Sequence, residues 1–241
     1  MKICIVDERM PEEAKRRLSI DGFYIIEAKA SKSLSAPLAS HPDMLFFFHG
    51  KTLISSAEYC EENPFIFEDL TRLVPGLKLK LTADVFKKEY PCDAIFNALV
   101  IGDKIFLKED SVSGAILDYA KEKGLLICKT NQGYPACTTL AISESAAVTA
   151  DFGMAKVLSQ SGVAPTLIEN GDISLPPYEY GFIGGASGVF RDKVYFIGNY
   201  KLHRDCEKIE KALEASHLTP VSLGDFPLLD LGRIIFIESD I

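Results

Sequence analysis

The feature that most constrains the fold is an amphipathic stretch that recurs at a nearly constant spacing. Four of five such stretches end in glycine, which tolerates the left-handed backbone conformation that follows a helix. The stretches are PEEAKRRLSIDG, PFIFEDLTRLVPG, SVSGAILDYAKEKG, DFGMAKVLSQSG and RDCEKIEKALEASH, with stops at Gly22, Gly76, Gly124, Gly162 and His217. The sequence therefore predicts five helices.

The starts of these stretches also carry helix signals. Pro11 and Pro64 suit the first helical position, where a missing amide hydrogen costs nothing. Ser111, Asp151 and Asp205 can accept hydrogen bonds from the exposed amides of a first turn. We predict that these five residues begin or cap their helices.

Short apolar runs flank the predicted helices. Each helix is followed by a run rich in strand-forming residues: FYIIEA, LKLKLTA, LLICKT, APTLIEN and LTPVSL. Four helices are also preceded by two apolar runs around a polar turn, namely MLFFF with TLIS, IFNALVI with KIFL, TLAIS with AAVTA, and GVF with VYFI. Such pairs indicate hairpins, so each repeat consists of strand, strand, helix and strand.

The remaining helix acquires its hairpin only when the two ends of the chain are joined. GRIIFIE near the C-terminus and KICIV near the N-terminus supply the strands, and we expect Ile3 and Ile5 to pair in antiparallel fashion with Ile235 and Ile237. The units are then 41–90, 91–138, 139–183, 184–230, and 231–241 together with 1–40. This organisation predicts one α/β domain that is a five-bladed α/β propeller closed by both termini. An ordinary doubly wound α/β domain is the alternative.

Charge and cysteine content restrict the class of function. The net charge of −8 disfavours nucleic-acid binding, which relies on Lys and Arg to neutralise phosphates. No apolar run is long enough for a membrane span, and the start MKICIVDERM lacks signal-peptide features, so we expect a cytoplasmic protein that binds no membrane. The six cysteines form no CxxC pair, which argues against a zinc cluster or a disulfide framework.

Two segments resemble the guanidino-group-modifying enzymes, whose fold is the five-bladed pentein propeller. They are PCDAIFNALVIGDKIFLKE at 91–109 and GGASGVFRDKVYFIGNYKLHRDCEKIEKAL at 184–213. The segments NQGYPACTTLAI, PPYEYGFIGGASG and HPDMLFFFHG resemble an uncharacterised bacterial branch of that fold. The resemblance implies a Cys nucleophile that attacks a guanidinium carbon, a His that acts as general acid, and carboxylates that hold the cation.

The chain departs from the family pattern at the substrate-binding acids. Asn97 and Ala98 stand where the family has one acid, and Ala186 and Ser187 where it has another. The C-terminal segment LLDLGRIIFIESDI contains neither Cys nor His, whereas the nucleophilic Cys of the catalytic relatives lies near the C-terminus. We therefore expect no turnover of arginine, agmatine or methylated arginines.

The junctions between units gather the candidate site residues, because the first strands of all units converge on one central opening. Cys137 is the candidate nucleophile and His41 its base, with Asp43, Asp93, Asn97, Ser187 and Asp230 as substrate-binding candidates. We expect Cys137 to face the opening with Asp43 or Asp93. The alternatives are that Cys137 is a small buried hydrophobe and that His41 and Asp43 form a bare turn.

The other histidines and the glycines favour structural roles. His49 falls at a hairpin turn, and His203 and His217 flank a helix, where exposed histidines are ordinary. The four histidines show no metal-ligand spacing, so no metal or cofactor is predicted. Close backbone packing explains Gly181, Gly184, Gly185 and Gly188, while Pro176, Pro177, Tyr178 and Tyr180 either wall a pocket or pack against the junction.

These observations favour a small-molecule-binding protein, with hydrolysis of an amidine-like or amide substrate by Cys137 as the leading hypothesis. The alternative is a non-catalytic protein-interaction module, because the same fold occurs in a ribosome anti-association factor. A purely structural paralogue is a third reading. The partner is accordingly a small molecule or a protein.

Overall fold

The computed structural model describes residues 1–239, which contain α-helices, short strands and one 3-10 turn at Tyr200–Leu202. The helices are α1 Glu12–Ile20, α2 Pro42–Leu45, α3 Ala57–Glu62, α4 Pro64–Leu73, α5 Gly114–Lys123, α6 Pro135–Thr138, α7 Phe152–Gln160 and α8 Cys206–Ala215. The strands are β1 Lys2–Asp7, β2 Phe23–Ala28, β3 Phe46–His49, β4 Thr52–Ser56, β5 Lys78–Thr82, β6 Leu99–Ile101, β7 Lys104–Leu107, β8 Leu126–Lys129, β9 Thr139–Ala141, β10 Ala146–Thr149, β11 Ala164–Leu167, β12 Ile173–Ser174, β13 Ser187–Phe190, β14 Lys193–Phe196, β15 Thr219–Ser222, β16 Leu228–Leu229 and β17 Ile235–Glu238.

Five three-stranded sheets share one topology. In each sheet the first two strands pair in antiparallel fashion, and the third lies parallel to the second after a helical crossover. The orders are β3-β4-β5, β6-β7-β8, β9-β10-β11, β13-β14-β15 and β17-β1-β2, and β12 with β16 forms a further two-stranded sheet. The repeat of strand, strand, helix and strand is therefore present in every predicted unit.

The two ends of the chain meet in one sheet. Ile3 lies opposite Ile237 and Ile5 opposite Ile235 in an antiparallel ladder between β1 and β17. The predicted antiparallel pairing of the terminal strands is confirmed.

The predicted helix stops are confirmed by backbone geometry. Gly22, Gly76, Gly124 and Gly162 all have positive φ, and His217 adopts a φ of 56° at the equivalent place. Asparagine or glycine is the usual residue in this conformation, so His217 is the exception in the series.

The helix starts agree less well with the sequence predictions. Asp151 caps α7 by accepting from the Met154 amide, and Pro64 is the first residue of α4, as expected. The cap of α5 is Ser113 and not Ser111, because the helix begins only at Gly114. Pro11 precedes α1 as its cap. The carboxylate of Asp205 accepts from the Glu169 amide and pairs with the Lys208 ammonium, but it accepts from no first-turn amide of α8.

Two further expectations were wrong. His41 and Asp43 do not form a bare turn, because the short helix α2 begins at Pro42, directly after His41, whose backbone is extended. Helix α2 also includes Met44 and Leu45, which were expected in a strand. His203 is 2% exposed, because the neighbouring 3-10 turn folds it inward, so it is not a surface histidine.

Close backbone packing accounts for the glycine run. A side chain at Gly184 would overlap the carbonyl oxygen of Ala136, and one at Gly185 would overlap the carboxylate of Asp230. Only glycine fits between these groups, which confirms the structural interpretation of the run. Within residues 1–239, none of the helices is long and apolar enough to cross a membrane.

Candidate functional site

One position recurs at the centre of the site. Met44, Asn97, Cys137, Gly185 and Arg233 each lie two residues before the first strand of their sheet. Their atoms converge: the Asn97 amide nitrogen is 3.2 Å from Cys137 Sγ and 3.6 Å from Met44 Sδ. Gly185 N–H donates to the Cys137 carbonyl at 2.8 Å. The equivalent positions of different sheets are thus in direct contact.

The junctions contact one another in sequence. Asn97 donates to the Asp43 carbonyl at 3.2 Å, and its own side-chain oxygen accepts from the Ala136 amide at 2.8 Å. After the contact of Gly185 with Cys137, Leu231 N–H donates to the Gly185 carbonyl at 3.2 Å. Gly232 then packs so closely against His41 that a side chain would collide with it. The last junction therefore touches the first.

The thiol of Cys137 is buried and protonated. Its Sγ donates to Asp43 Oδ2 at 2.8 Å and lies next to the Asn97 amide. Burial, together with the negative charges of Asp43 and Asp230, raises the pKa of the Cys137 thiol well above its ordinary value. The resting group is consequently a thiol and not a thiolate.

The imidazole of His41 is buried. Within residues 1–239 neither ring nitrogen has a partner, although Nδ1 lies 3.9 Å from Asp230 Oδ1. Burial lowers the pKa of His41 to about 3, so the imidazole is neutral at physiological pH. One side-chain donor atom each of His41, Asp43 and Cys137 lies within 4.8 Å of the other two. Alignment of the unit starts had predicted that these three residues face one opening, whereas the spacing of the histidines gave no indication of a metal-ligand set.

The pKa values of two neighbouring carboxyl groups, those of Asp230 and Asp43, are also shifted. Asp230 accepts from the amides of Phe182 at 2.8 Å and Gly232 at 3.1 Å, yet burial and the charge of Asp43 raise its pKa to about 7. Burial likewise raises the pKa of Asp43, whose Oδ1 has no hydrogen-bond partner in residues 1–239. A cation that approached both groups would be attracted more strongly than at an exposed site.

A cavity of about 290 Å³ opens onto this cluster. Its walls include Leu38, His41, Tyr134, Cys137, Leu175, Tyr178, Glu179, Tyr180, Phe182 and Asp230. Tyr178 and Tyr180 therefore line a pocket, which was one of the two roles predicted for the Pro-rich segment. The cavity combines aromatic walls with one thiol, one imidazole and two carboxyl-bearing side chains, which suits a small cationic ligand.

The remaining predicted site residues lie around the cavity and not in it. Asp93 accepts from the Tyr134 hydroxyl at 2.7 Å and so holds a wall residue, while Asn97 holds Cys137. Ser187 is fully buried, and its hydroxyl donates to the Ile183 carbonyl at 2.6 Å. Within residues 1–239 the cavity walls do not include Ser187, whose hydrogen bond stabilises a turn.

Arg233 is a site residue that the sequence analysis missed. It lines a second cavity of about 100 Å³ together with Asp43, and its charge acts on both Asp43 and Cys137. The signal was available, since Arg233 stands at the same position before β17 as Cys137 does before β9. Comparison of the unit starts had selected Asp230, three residues earlier.

A model of one protein family matches residues 5–235, and its description is "Family of unknown function (DUF6873)". The chain belongs to this family. No curated protein matches the sequence.

Solved structures with the pentein fold of guanidino-modifying enzymes resemble the chain over most of its length. SxtG, an amidinotransferase from Microseira wollei, has 14% identity and a TM-score of 0.52, with 96% of this chain and 94% of that chain covered. A variant of DDAH from Pseudomonas aeruginosa in complex with citrulline has 15% identity and a TM-score of 0.56, with 92% and 91% covered. An agmatine deiminase from C. jejuni has 8% identity and a TM-score of 0.52, with 92% and 76% covered. The chain therefore has the pentein fold of these enzymes.

Proposed function

We propose that the cavity binds a small amidine-like cation and that Cys137 hydrolyses its C–N bond. The observation that carries the proposal is that Cys137, His41 and Asp230 all lie in the wall of one cavity. The pentein neighbours support it, since their names describe enzymes that act on guanidino compounds. Asn97, Ala98, Ala186 and Ser187 in place of the family acids favour a substrate other than arginine or agmatine.

Substrate binding would prepare the nucleophile. A cation beside Asp230 in the cavity offsets part of the negative charge that raises the pKa of the Cys137 thiol. Asp43, which accepts the thiol hydrogen bond at 2.8 Å and whose pKa burial raises, can then accept the thiol proton, and the neutral His41 lies within 4.8 Å to pass it on. The aromatic walls, including Tyr178 and Tyr180, would hold the cation against their faces.

The covalent step follows from these roles. The Cys137 sulfur forms a bond to the amidine carbon, and the thiol proton passes through His41 to the departing nitrogen, which leaves as ammonia. Water then adds to the carbon, the C–S bond breaks, and the proton returns to sulfur. The products are an amide and ammonia, with no oxidant or reductant consumed.

Ligand binding is tested with benzamidinium and its neutral analogue benzamide. We expect benzamidinium alone to raise the melting temperature, and Tyr178→Ala to weaken its binding about 5- to 30-fold, the equivalent of one cation–π contact of 1–2 kcal/mol. Tyr24→Ala is the matched control, because Tyr24 is similarly exposed but lies outside the cavity walls. Equal stabilisation by both compounds would contradict a cation site.

Hydrolysis is tested by ammonia release from a panel of amidines and primary amides. Cys137→Ala should abolish release, whereas Cys60→Ala, which changes a half-buried cysteine away from the cavity, should not. Activity retained in Cys137→Ala would remove the nucleophile assignment. Citrulline formed from arginine above the Cys137→Ala background would show that the missing acids had been misjudged.

A non-catalytic module is the second candidate, and the protonated resting thiol favours it. Cys137 is buried and hydrogen-bonded to Asp43, as expected of a group that never ionises. This reading predicts ligand binding without ammonia release, together with a stable protein partner in a pull-down. The ammonia assay separates it from the hydrolase.

We also propose that the five sheets form a closed five-bladed ring. The support is the chain of junction contacts, in which Gly232 returns to His41, and the pairing of β17 with β1. Deletion of residues 231–241 should then unfold the whole protein, because it exposes the edges of two neighbouring units. Cooperative melting at an unchanged temperature after this deletion would argue for an open array.

A further inference from the structure

Three buried side chains bring metal-ligating atoms together next to the cavity. His41 and Asp43 flank Pro42 at the start of α2, and Cys137 lies in α6. Their exposed fractions are 0%, 3% and 3%, and their ligand atoms lie within 4.8 Å of one another. The cluster therefore joins two units of the repeat, with His41 and Cys137 in the wall of the larger cavity and Asp43 in the wall of the second.

The cluster contains polar atoms that no protein group satisfies. Within residues 1–239, His41 Nδ1, His41 Nε2 and Asp43 Oδ1 have no hydrogen-bond partner. Each buried and unpartnered polar atom costs roughly 1–3 kcal/mol, and native proteins contain few of them. An ion that accepts the lone pair of one ring nitrogen and one lone pair of Asp43 Oδ1 would remove this cost at two of the three atoms.

We propose that His41, Asp43 and Cys137 form a Zn²⁺ site whose fourth position faces the cavity. Sulfur, imidazole and carboxylate donors are the set that zinc accepts, whereas Mg²⁺ and Ca²⁺ prefer oxygen alone. One thiolate and one carboxylate balance the charge of the ion, so the complex is neutral in its buried surroundings. Three protein ligands with one open position are typical of zinc sites that bind water or a substrate.

The distances require only a small contraction. Bonds of about 2.0–2.3 Å in a tetrahedral site place the ligand atoms roughly 3.3–3.8 Å apart, so no separation between ligand atoms needs to shorten by more than about 1.5 Å. The contact of 2.8 Å between Cys137 Sγ and Asp43 Oδ2 must lengthen instead. It does so because the shared proton leaves for solvent when sulfur bonds to the metal.

Neighbouring residues that are not ligands can orient the ligands of such a site and balance its charge. Asp230 lies 3.9 Å from His41 Nδ1 and has both oxygens held by backbone amides, so it can orient the imidazole. The positive charge of Arg233 acts on Asp43 and Cys137 from the second cavity and offsets the charge of Asp230. The metal-bound chain is a separate state from the proposed hydrolase, because a zinc-bound Cys137 is not a free nucleophile and only the metal-free chain can carry out the hydrolysis.

Cobalt titration tests the site without any substrate. The full chain, freed of metal with a chelator and kept reduced, is titrated with Co²⁺, since Zn²⁺ itself has no d–d absorption. We expect one Co²⁺ per chain, a thiolate-to-cobalt charge-transfer band in the near ultraviolet, and loss of that band when Zn²⁺ is added. The result is separate from ammonia release, so either proposal can fail alone.

Two variants that each lack one proposed metal ligand, compared with one control variant, test the assignment of the site. Cys137→Ala should abolish the charge-transfer band, and His41→Leu should weaken Co²⁺ binding by more than roughly 100-fold, as loss of a direct ligand exceeds the loss of an outer partner. Cys60→Ala should retain both the band and the affinity. The site is overturned if folded wild-type protein gives no band, if the band survives in Cys137→Ala, or if His41→Leu binds with wild-type affinity.

Discussion

Three buried aspartates lie close together but differ in whether an arginine or lysine neutralises their charge. Asp7, at the end of β1, binds the Arg9 guanidinium with both oxygens at 2.9 and 2.6 Å and also accepts the Arg9 amide. Asp43 and Asp230, at the cavity, form no ion pair with Lys or Arg at 4.0 Å or less within residues 1–239. The charge of Asp7 nevertheless reaches both His41 and Asp230.

We interpret the ion-paired aspartate as structural and the unpaired aspartates as part of the candidate site. A buried carboxylate with a bidentate arginine is satisfied and holds its neighbours, and here Arg9 also donates to the carbonyls of Ala36 and Pro37 beside the cavity wall. Carboxyl groups left without a cation cost stability, and folded proteins retain such groups where a ligand uses them. The unpaired carboxyl groups, together with His41, therefore mark the candidate site.

The largest effect is expected from breaking the satisfied pair. Arg9→Met leaves the Asp7 carboxylate buried and alone, and should lower the free energy of unfolding by about 2 kcal/mol, less than a fully buried pair because Arg9 is partly in water. Urea denaturation at pH 7 measures the change. Arg16→Met, at an exposed arginine of α1, is the control and should leave stability unchanged. A wild-type midpoint for Arg9→Met would mean that the contrast between the two groups is not energetic.

A change of opposite sign is expected at the cavity. His41→Leu removes two unpartnered ring nitrogens and should raise the free energy of unfolding by about 1–2 kcal/mol in metal-free protein, while it abolishes metal binding. His203→Leu is the matched control, since His203 is equally buried but its Nδ1 accepts from the Asp205 amide at 3.0 Å. That variant should be destabilised. If both variants lose stability, His41 is an ordinary core residue.

The sequence predicted the features of the fold that depend on local backbone preference or on the repeated pattern. The stops at Gly22 and Gly124, and the pairing of Ile3 with Ile237, depend on backbone preference and on a pattern visible five times. The environment of His41 could not be predicted, because its lack of partners depends on α2, α6 and the loop around Asp230 together. Arg233 was missed for a different reason: its equivalence to Cys137 is measured from the strand start, which sequence alone places to within a few residues.

The smallest effect is expected where the same pairing occurs at the surface. Arg204 binds both oxygens of Asp172 at 2.7 and 2.9 Å and donates its amide, which repeats the geometry of Asp7 with Arg9, but it lies in solvent. The hydrogen bonds from Arg204 hold the pKa of Asp172 well below its usual range. Because the folded-state pKa is lowered, the pair stabilises the protein above the unfolded pKa of about 4 and loses that contribution as pH falls. Arg204→Ala should therefore shift the urea midpoint slightly at pH 7, less than Arg9→Met does, and the shift should shrink toward pH 3. A shift as large as that of Arg9→Met, or one that grows on acidification, would show that burial is not what distinguishes the two pairs.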